Sequence, residues 1–511
     1  MSEYAADYKK QVLYDYTNNP LIEALPEIWC SDEVVDMLSN NEGHHDGERE
    51  LDSHYRMHCV LRLFRYFQPL EQHVEIERRF SKCIRQGYLH RSPLSPEYAK
   101  GLAQGHKIIS QQQDYMRLNA FRPTSIGFTI IGLSGIGKTS AVLNILSLYP
   151  QIIDHSAYQG IPLILRQIVW LKLDCPHDGS VKGLCMEFFE AVDRAVGTNY
   201  FPTLSRGRYT VDVLMVHMAQ AARLHSLGVL VIDEIQHLSL AKGGGQDKML
   251  NFFVTLVNTI GVPVVLIGTS RAKPILQSEF RQARRGSGQG DLLWDKMKKD
   301  ASWDVFVSTM WQNQWTRQVV TLTDDFKNAL YDESQGIIDI AVKLYAMVQI
   351  KAIALGEETF NPSDFRAVAS EKLGLVKPML DALRSGDKKK IDKYGDISPV
   401  NVDDYYSAYA TSLDLKQGVP KKRENISLSE KAVLKLLELG VEPKKAKRLT
   451  GKVLSERQDV KSVADVVRIA YQAFLSTSDT INIDAKQQGD LRETVGYEEM
   501  KADGTIEKIE W

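Results

Sequence analysis

Residues 130–140, IIGLSGIGKTS, contain the pattern G-x-x-x-x-G-K-[ST] between an apolar run and a helical segment. Such a phosphate loop requires a strand–loop–helix unit, because its backbone N–H groups must converge on phosphate oxygens at a helix N-terminus. Lys138 is expected to reach the terminal phosphates, and Thr139 to ligate Mg²⁺. The predicted nucleotide-binding residues of this loop are Gly132, Ser134, Gly135, Ile136, Gly137, Lys138, Thr139 and Ser140.

Two later apolar runs end in polar residues that suit the same site. GVLVIDE (228–234) places Asp233 near the metal, and Glu234 where it can polarise a water against the γ-phosphate. VPVVLIGT (262–269) ends at Thr269, whose hydroxyl either touches the phosphate or the attacking water, or only caps the strand. We therefore predict ATP and Mg²⁺ as cofactors, with Asp233 and Thr139 as the metal ligands.

A basic segment, EFRQARRGSGQG (279–290), follows these strands. An arginine that enters the site of a neighbouring subunit can stabilise charge in the transition state of phosphoryl transfer. We predict that Arg284 or Arg285 acts in this way. The sequence leaves open which of the two it is, and a solvated helix end or a structural ion pair is the alternative.

The pattern of apolar runs predicts an α/β fold. Strand-like runs without a period of two alternate with helical segments, as in a parallel sheet covered by helices on both faces. With the Asp-Glu pair and the paired arginines, this favours an AAA+ P-loop NTPase with a small α-helical lid and mainly helical terminal extensions. The predicted divisions are an N-terminal partner-binding region, the nucleotide-binding core, the lid, and a linker with a C-terminal partner-interacting region, at 1–105, 106–315, 316–384 and 385–511.

Composition restricts where such a chain works. The net charge is -2 and the sequence pI is about 6.7, so no global basic field indicates nucleic acid, although a local basic strip would be sufficient for binding. The five cysteines are scattered without a C-x-x-C pair, which is typical of free thiols in a reducing compartment. Because no apolar run approaches the length of a membrane span, we expect a cytoplasmic, bacterial protein.

Beyond these motifs, the chain resembles one family, TnsC, the AAA+ regulator of Tn-seven-type transposons, which is related more distantly to TniB. The similarity extends over roughly 70–385. It is carried by IERRFSKCIRQGYLHRSP (76–93), WLKLDCPHDGSVKGLC (170–185), LGVLVIDEIQHL (227–238), MLNFFVTLVNTIGVPVVLIGT (249–269), RQARRGSGQG (281–290) and SQGIIDIAVKLYAMVQIKAIALG (334–356).

The resemblance implies an ATPase that uses hydrolysis as a switch. Such proteins oligomerise on double-stranded DNA as rings or helical filaments. They receive a signal from a TniQ- or TnsD-type target selector, and they recruit and activate the TnsA and TnsB transposase subunits. One departure concerns the lid, where many AAA+ proteins carry an arginine that contacts the γ-phosphate. Asp339 stands at the start of this lid helix, and the sequence leaves open whether Lys343 replaces the arginine.

Several basic residues are candidates for DNA contact. Lys182, Arg206 and Arg208 could face phosphates from the inner wall of a ring, and such contacts would be independent of sequence and sensitive to salt. Residues 416–452 hold 11 Lys and Arg against 4 Glu, which fits DNA, an acidic partner or a solvated helix face equally.

Two other functions remain compatible with the motifs. A DNA-replication initiator or helicase loader shares the same ATPase core, and would usually add a helix-turn-helix origin reader or a helicase-binding tail. A small-molecule kinase shares the phosphate loop, but long flanking regions and paired arginines argue against it.

Overall fold

The computed structural model describes residues 3–40, 43, 45, 47–111, 127–240, 261–272, 290–387, 391, 406–407, 428–439, 441–456 and 462–477. The chain divides into two compact units, Met1–Leu413 and Asp414–Trp511. Within the described part of the chain, every helix is too short or too polar to span a bilayer.

The strands of the first unit are β1 (Glu3–Ala5), β2 (Phe128–Gly132), β3 (Ile152–Tyr158), β4 (Ile161–Ile168), β5 (Trp170–Asp174), β6 (Val229–Asp233), β7 (Val264–Gly268) and β8 (Asp291–Trp294). Its helices are α1 (Pro20–Glu23), α2 (Ser31–Leu38), α3 (Ser53–Val60), α4 (Glu71–Tyr88), α5 (Pro96–Gln111), α6 (Lys138–Ser147), α7 (Val181–Val196), α8 (Tyr200–Ser205), α9 (Val211–Leu224), α10 (Ala301–Trp311), α11 (Asp324–Ser334), α12 (Ile338–Leu355), α13 (Pro362–Lys372) and α14 (Lys377–Ser385). Short 3-10 turns lie at Tyr14–Tyr16, Glu48–Glu50, Leu61–Arg65, Ile235–Leu240 and Ser270–Ala272.

The main sheet has five parallel strands in the order β5-β6-β7-β2-β8. Every residue of β2, β6 and β7 is buried, because helices or loops cover both faces. The parallel arrangement brings the carboxyl ends of β2, β6 and β7 to one edge of the sheet. The predicted α/β P-loop NTPase fold is confirmed.

A second, three-stranded sheet combines β1, near the N-terminus, with two strands that lie between the phosphate-loop helix and β5 in the sequence. Its order is β1-β3-β4, with β3 and β4 forming an antiparallel hairpin. The hairpin turns at Gln159 and Gly160, which both have positive φ (48° and 79°), as a type I′ connection requires. The apolar run 168–174 contains the end of β4 and the whole of β5.

The two faces of the main sheet lie in different hydrophobic cores. One face packs against α7 and α9. The other face is buried in a larger hydrophobic core, whose residues range in sequence from Tyr16 to Leu383. This core includes residues of N-terminal helices and of the lid. The N-terminal region and the lid are therefore built onto the nucleotide-binding sheet by shared apolar burial.

The lid is a helical layer formed by α10 to α14. Its centre is an aromatic cluster in which Trp311 stacks on Tyr345 with ring centroids 4.8 Å apart, and Phe326, Phe360 and Phe365 surround the pair. Offset and edge-on aromatic contacts of this kind add stability beyond their buried area. The helical segments predicted at 323–373 correspond to α11, α12 and α13.

An ion pair connects the N-terminal region to the lid. The guanidinium of Arg56 on α3 donates two 2.6 Å hydrogen bonds to Glu358, which follows α12. The same guanidinium donates to the carbonyl oxygens of Leu51 and Trp315. Burial raises the pKa of Glu358, but the bonds from Arg56 and from the Arg317 amide outweigh it, and the net pKa lies below the ordinary value.

The second unit contains three helices that pack on one another. They are α15 (Leu428–Glu438), α16 (Pro443–Glu456) and α17 (Val463–Thr477). Among the described residues their core is small, with Ala432, Leu436, Val441, Ala446, Val453, Val466 and Ala470 buried, and Tyr471 and Phe474 pack against it. Side chains repeating every three or four residues on each helix build this core, as amphipathic helices do.

Candidate functional site

The phosphate loop connects β2 to α6 and depends on its glycines. Gly135 and Gly137 have φ of 77° and 91°, in the left-handed region that favours glycine, and Gly137 is the N-cap of α6. At Gly132 a Cβ atom would lie 2.1 Å from the carbonyl oxygen of Trp294 on β8. Only glycine therefore fits at Gly132, and the backbone N–H groups at the start of α6 are presented to the cleft.

The side chains of Lys138 and Thr139 both line the cleft. The buried amino group of Lys138 donates to the carbonyl oxygens of Gly132 (3.2 Å) and Leu133 (2.7 Å). The hydroxyl of Thr139 donates a 2.7 Å hydrogen bond to Oδ2 of Asp233 at the end of β6. The start of α6 and the end of β6 thus bring a hydroxyl and a carboxylate oxygen together, which is the ligand type that Mg²⁺ prefers.

Asp233 is 2 % exposed and its carboxylate has several partners. Its second oxygen accepts the backbone N–H of Glu234 at 2.8 Å, and the amino group of Lys172 on β5 lies 3.6 Å from Oδ2. Lys172 also pairs with Asp174. The sequence analysis had assigned no role to Lys172, which is the cation that balances the acidic end of these two strands.

Glu234 has a backbone φ of 58°, uncommon for a residue with a side chain. Such a conformation costs on the order of 1–3 kcal/mol and persists only where surrounding contacts impose it. Here the side-chain amide of Gln236 donates to Oε2 of Glu234, while Oε1 of Gln236 accepts the backbone N–H of Thr269 at 3.1 Å. Gln236 therefore connects the carboxylate predicted as the base to the end of β7.

Sequence reasoning missed Gln236. Its role depends on the 3-10 turn Ile235–Leu240, which folds back towards β7, and the motif pattern gives no signal for this turn. Thr269 lies where predicted, and its buried hydroxyl oxygen has no hydrogen-bond partner among the described residues. A buried hydroxyl that lines the cleft suits contact with a phosphate oxygen or a water.

These residues line one cleft of about 1400 Å³. The N-terminal region supplies Asn40 and residues 63–68 as one wall, and the lid supplies residues 337–340 and Met379. The backbones of Asn40 and Phe67 hydrogen bond to each other in both directions, which fixes the N-terminal wall. The apolar walls and the phosphate loop together fit a ligand with a flat, apolar end and a multiply charged end.

His73 also lines this cleft and is buried. Burial lowers the pKa of His73 to about 4, so the imidazole is neutral at physiological pH. Its Nδ1 accepts the backbone N–H of Leu70 at 2.8 Å and so caps α4. The ring also contacts Trp294 edge-on at 5.3 Å.

The lid touches the phosphate loop directly. The backbone N–H of Asp339 donates a 3.0 Å hydrogen bond to the carbonyl oxygen of Gly135. Its carboxylate pairs with the amino group of Lys343 one turn later, at 2.7 Å, and both side chains line the cleft. The only cationic side chain that the lid contributes to the described lining is therefore already paired.

The remaining predicted residues lie elsewhere. Arg284 and Arg285, and with them Arg281, lie outside the described residues. Lys182 is exposed in the first turn of α7, while Arg206 and Arg208 are exposed on the turn between α8 and α9. Within the described ranges none of these three side chains has an ion-pair partner, and their contact with DNA stays a prediction.

Comparison with known proteins agrees with this geometry. Residues 127–276 match the model of a family described as an AAA domain. No curated protein sequence matches the chain. Among solved structures, the Walker-type ATPase of Pyrococcus abyssi is similar at 13 % identity with a TM-score of 0.35, covering 57 % of this chain and 76 % of that one.

Two further structures are comparably distant. The ORC2 protein of Aeropyrum pernix has 15 % identity and a TM-score of 0.34, covering 63 % of this chain and 86 % of its own. The RuvB Holliday junction branch migration motor of Thermotoga maritima has 14 % identity and a TM-score of 0.28, with 63 % and 84 % covered. Residues 127–276 of this chain are an AAA domain, built on an AAA+ P-loop NTPase fold.

Proposed function

We propose that this chain is an ATP-dependent regulator of DNA transposition. In this proposal it oligomerises on double-stranded DNA, connects a TniQ- or TnsD-type target selector to the TnsA and TnsB transposase subunits, and uses ATP hydrolysis to control assembly. The observation that carries the proposal is the convergence of Lys138, Thr139, Asp233 and Glu234 in one cleft. Four of the segments that resemble TnsC, 170–185, 227–238, the described end of 249–269 and 334–356, contribute residues to this cleft.

The chemistry follows from the positions of the side chains. Lys138 and the N–H groups at the start of α6 would bind the terminal phosphates, and Thr139 with Asp233 would hold Mg²⁺. The metal supplies charge neutralisation on the phosphate oxygens. Glu234 orients and polarises the attacking water, and Gln236 keeps this carboxylate in place.

Regulation requires that hydrolysis changes an assembly. ATP that binds between two subunits stabilises the DNA-bound oligomer only if it binds that state better than the free one. Arg284 or Arg285 of a neighbouring subunit is the proposed second half of the site. Within one subunit, the lid is proposed to respond to the state of the bound nucleotide, since the backbone N–H of Asp339 donates a hydrogen bond to Gly135 of the phosphate loop.

The proposal is tested with two variants of the full-length chain. Glu234→Gln should bind ATP normally, hydrolyse it about 10²- to 10⁴-fold more slowly, and lengthen the lifetime of oligomers on duplex DNA. Lys138→Ala should lose ATP binding and ATP-dependent assembly together. Assembly would be followed by negative-stain imaging, and release by a DNA-bound fluorophore.

Two outcomes would contradict the proposal. Normal ATP affinity in the Lys138→Ala variant would exclude the phosphate-loop role. A chain that hydrolyses ATP yet assembles identically with and without duplex DNA would exclude the DNA-regulator role and leave the ATPase intact.

The three-helix unit Asp414–Trp511 supports a second candidate, a DNA-replication initiator or helicase loader. Such a protein needs a separate module that reads a DNA sequence, and a compact helical unit outside the ATPase offers one. Competition binding separates the two candidates. An initiator prefers particular duplex sequences, whereas the transposition regulator binds random duplexes equally.

A further inference from the structure

The second unit presents one face that its own packing leaves unused. On α16, Ala446, Thr450 and Val453 are buried against α15 and α17. At 100° per residue the opposite face of this helix carries Lys444, Lys447, Arg448, Gly451, Lys452 and Ser455, all of them exposed. We call these six residues the basic face.

Charge is concentrated on this helix. Pro443–Glu456 contains five basic residues and one acidic residue. Near the two ends of the helix, Lys445 pairs with Glu442 and Lys452 lies 3.9 Å from Glu456. Lys444 and Arg448 have no ion-pair partner among the described residues. In the described part of the unit, the basic face thus holds two cationic groups that no carboxylate neutralises.

Gly451 lies between these cations on the helical wheel. Glycine inside a helix costs about 1 kcal/mol relative to alanine. A Cβ atom at Gly451 would meet no atom within 4 Å, so packing inside the protein does not require glycine. The missing side chain instead leaves the helix backbone open to close approach from outside, in the middle of a basic surface.

We propose that the basic face binds the phosphate backbone of double-stranded DNA, independently of base sequence. The inference rests on the proposed function in one respect, that duplex DNA is the partner. It adds a contact outside the ATPase, which needs neither nucleotide nor a neighbouring subunit. Lysine and arginine side chains release counterions from phosphates, and the glycine admits the sugar-phosphate chain.

An acidic protein surface fits the basic face less well than DNA does. Protein interfaces usually centre on aromatic or aliphatic anchors that become fully buried. The basic face contains no apolar side chain. Its composition is that of a surface whose binding energy is electrostatic and decreases with salt.

The test uses the full-length chain without nucleotide and a random-sequence duplex too short for two subunits. Binding is measured by fluorescence anisotropy over a range of salt concentrations. The triple variant Lys444→Ala/Arg448→Ala/Lys452→Ala removes three phosphate contacts, so the slope of log K against log salt should become shallower by about 2.7. Between 50 and 200 mM salt the parent chain should then lose about 40-fold more affinity than the variant.

A second variant addresses folding. Gly451→Leu has no internal clash and a better helix propensity, so the unit should be at least as stable, while the bulky side chain should weaken DNA binding about tenfold or more. Arg468→Ala is the matched control, because Arg468 is exposed on α17 and pairs with Asp465, and it should leave the slope unchanged. Helicity is compared by circular dichroism.

The outcomes separate this inference from the proposed function. In one outcome, the parent chain binds the short duplex while the triple variant keeps the same slope of log K against log salt. That result would overturn the proposal that the basic face binds DNA, and it would leave ATP-dependent assembly on long DNA unaffected. Loss of binding to poly-glutamate but not to DNA in the same variant would assign the face to an acidic protein partner instead. No duplex binding by the parent chain under any condition would contradict both proposals.

Discussion

Glu234 has a strained backbone conformation, which neighbouring residues maintain. Its positive φ turns the carboxylate away from the direction of β6, and Gln236 holds the carboxylate through a side-chain amide that also accepts from the Thr269 backbone. Position is the main requirement for a residue that orients water, because small displacements reduce the rate strongly. Gln236 is therefore a positioning residue for the proposed reaction.

Replacing Gln236 by leucine should lower the ATP hydrolysis rate about 10²-fold, because Glu234 loses its hydrogen bond and can rotate. ATP affinity should change little, since the hydrogen bonds described for Gln236 go to Glu234 and Thr269 and not to the phosphate loop. The measurement is steady-state hydrolysis together with binding of a fluorescent ATP analogue. Gln151→Leu, before β3 and outside the cleft lining, is the control. An unchanged kcat in Gln236→Leu would show that Glu234 is held by other groups.

Replacing Asp339 by asparagine should tighten ATP binding about fivefold. The carboxylate of Asp339 neutralises Lys343, and its removal leaves the ammonium group free to attract phosphate oxygens. The backbone bond from residue 339 to Gly135 does not depend on this side chain. Asp325→Asn, exposed on α11, is the control. Weaker binding in the Asp339→Asn variant would mean that Lys343 does not face the phosphates.

Among the elements, α3 and the end of α12 are joined most specifically. Arg56 forms two parallel bonds to Glu358 and two more to backbone carbonyls, and it is 1 % exposed. Glu358 itself has a φ of 56°, so the lid backbone adopts an uncommon conformation to meet the arginine. This contact fixes the position of the N-terminal wall of the cleft relative to the lid.

Arg56→Met should lower the free energy of unfolding by about 3–5 kcal/mol, because the half-buried carboxylate of Glu358 and the carbonyl oxygens of Leu51 and Trp315 would lose this buried donor. Arg317→Met is the matched control. Arg317 lies 4.0 Å from the same carboxylate but is largely exposed, so its loss should cost less than about 1 kcal/mol. Urea denaturation of both variants measures the difference. If the two substitutions lower the free energy of unfolding equally, Arg56 does not stabilise the fold more than the exposed Arg317 does.

The sequence was informative where local chemistry dictates the residue. Phosphate binding requires the glycines and Lys138 at fixed spacing, and the apolar runs predicted β2, β6 and β7 because both faces of the sheet are buried. The hairpin of β3 and β4 was missed because Gln159-Gly160 is not a typical hairpin signal. The N-terminal wall was missed because contacts such as that between Arg56 and Glu358 join residues far apart in sequence.

On the scale of the whole molecule, buried neutral histidines make stability depend on pH. The folded pKa of His73, about 4, lies below its unfolded value of 6.5, so the unfolded chain binds the proton more readily. The contribution of His73 is complete above pH 6.5 and is lost as the pH falls from 6.5 to about 4. Burial also lowers the pKa of His155 and of His225, which act in the same direction.

His73→Gln should reduce the loss of stability between pH 6.5 and 4 by about 3 kcal/mol. Glutamine can accept the Leu70 N–H in place of the imidazole but does not titrate. Urea denaturation at a series of pH values measures this, with His54→Gln, an exposed histidine on α3, as control. A pH profile of His73→Gln that parallels the parent chain would contradict the assignment.

The hydrophobic core that runs from Tyr16 to Leu383 restricts how this protein can change over evolutionary time. The AAA segment 127–276 has the size of a domain that recombination could exchange as a unit. However, one face of its sheet is buried against helices that precede and follow this segment in the sequence. Recombination at the borders of that segment would join surfaces that had not adapted to each other. We therefore expect the AAA segment to be inherited together with its flanking helices. The three-helix unit beyond residue 413 is a separate compact unit, so we expect that it can be exchanged independently.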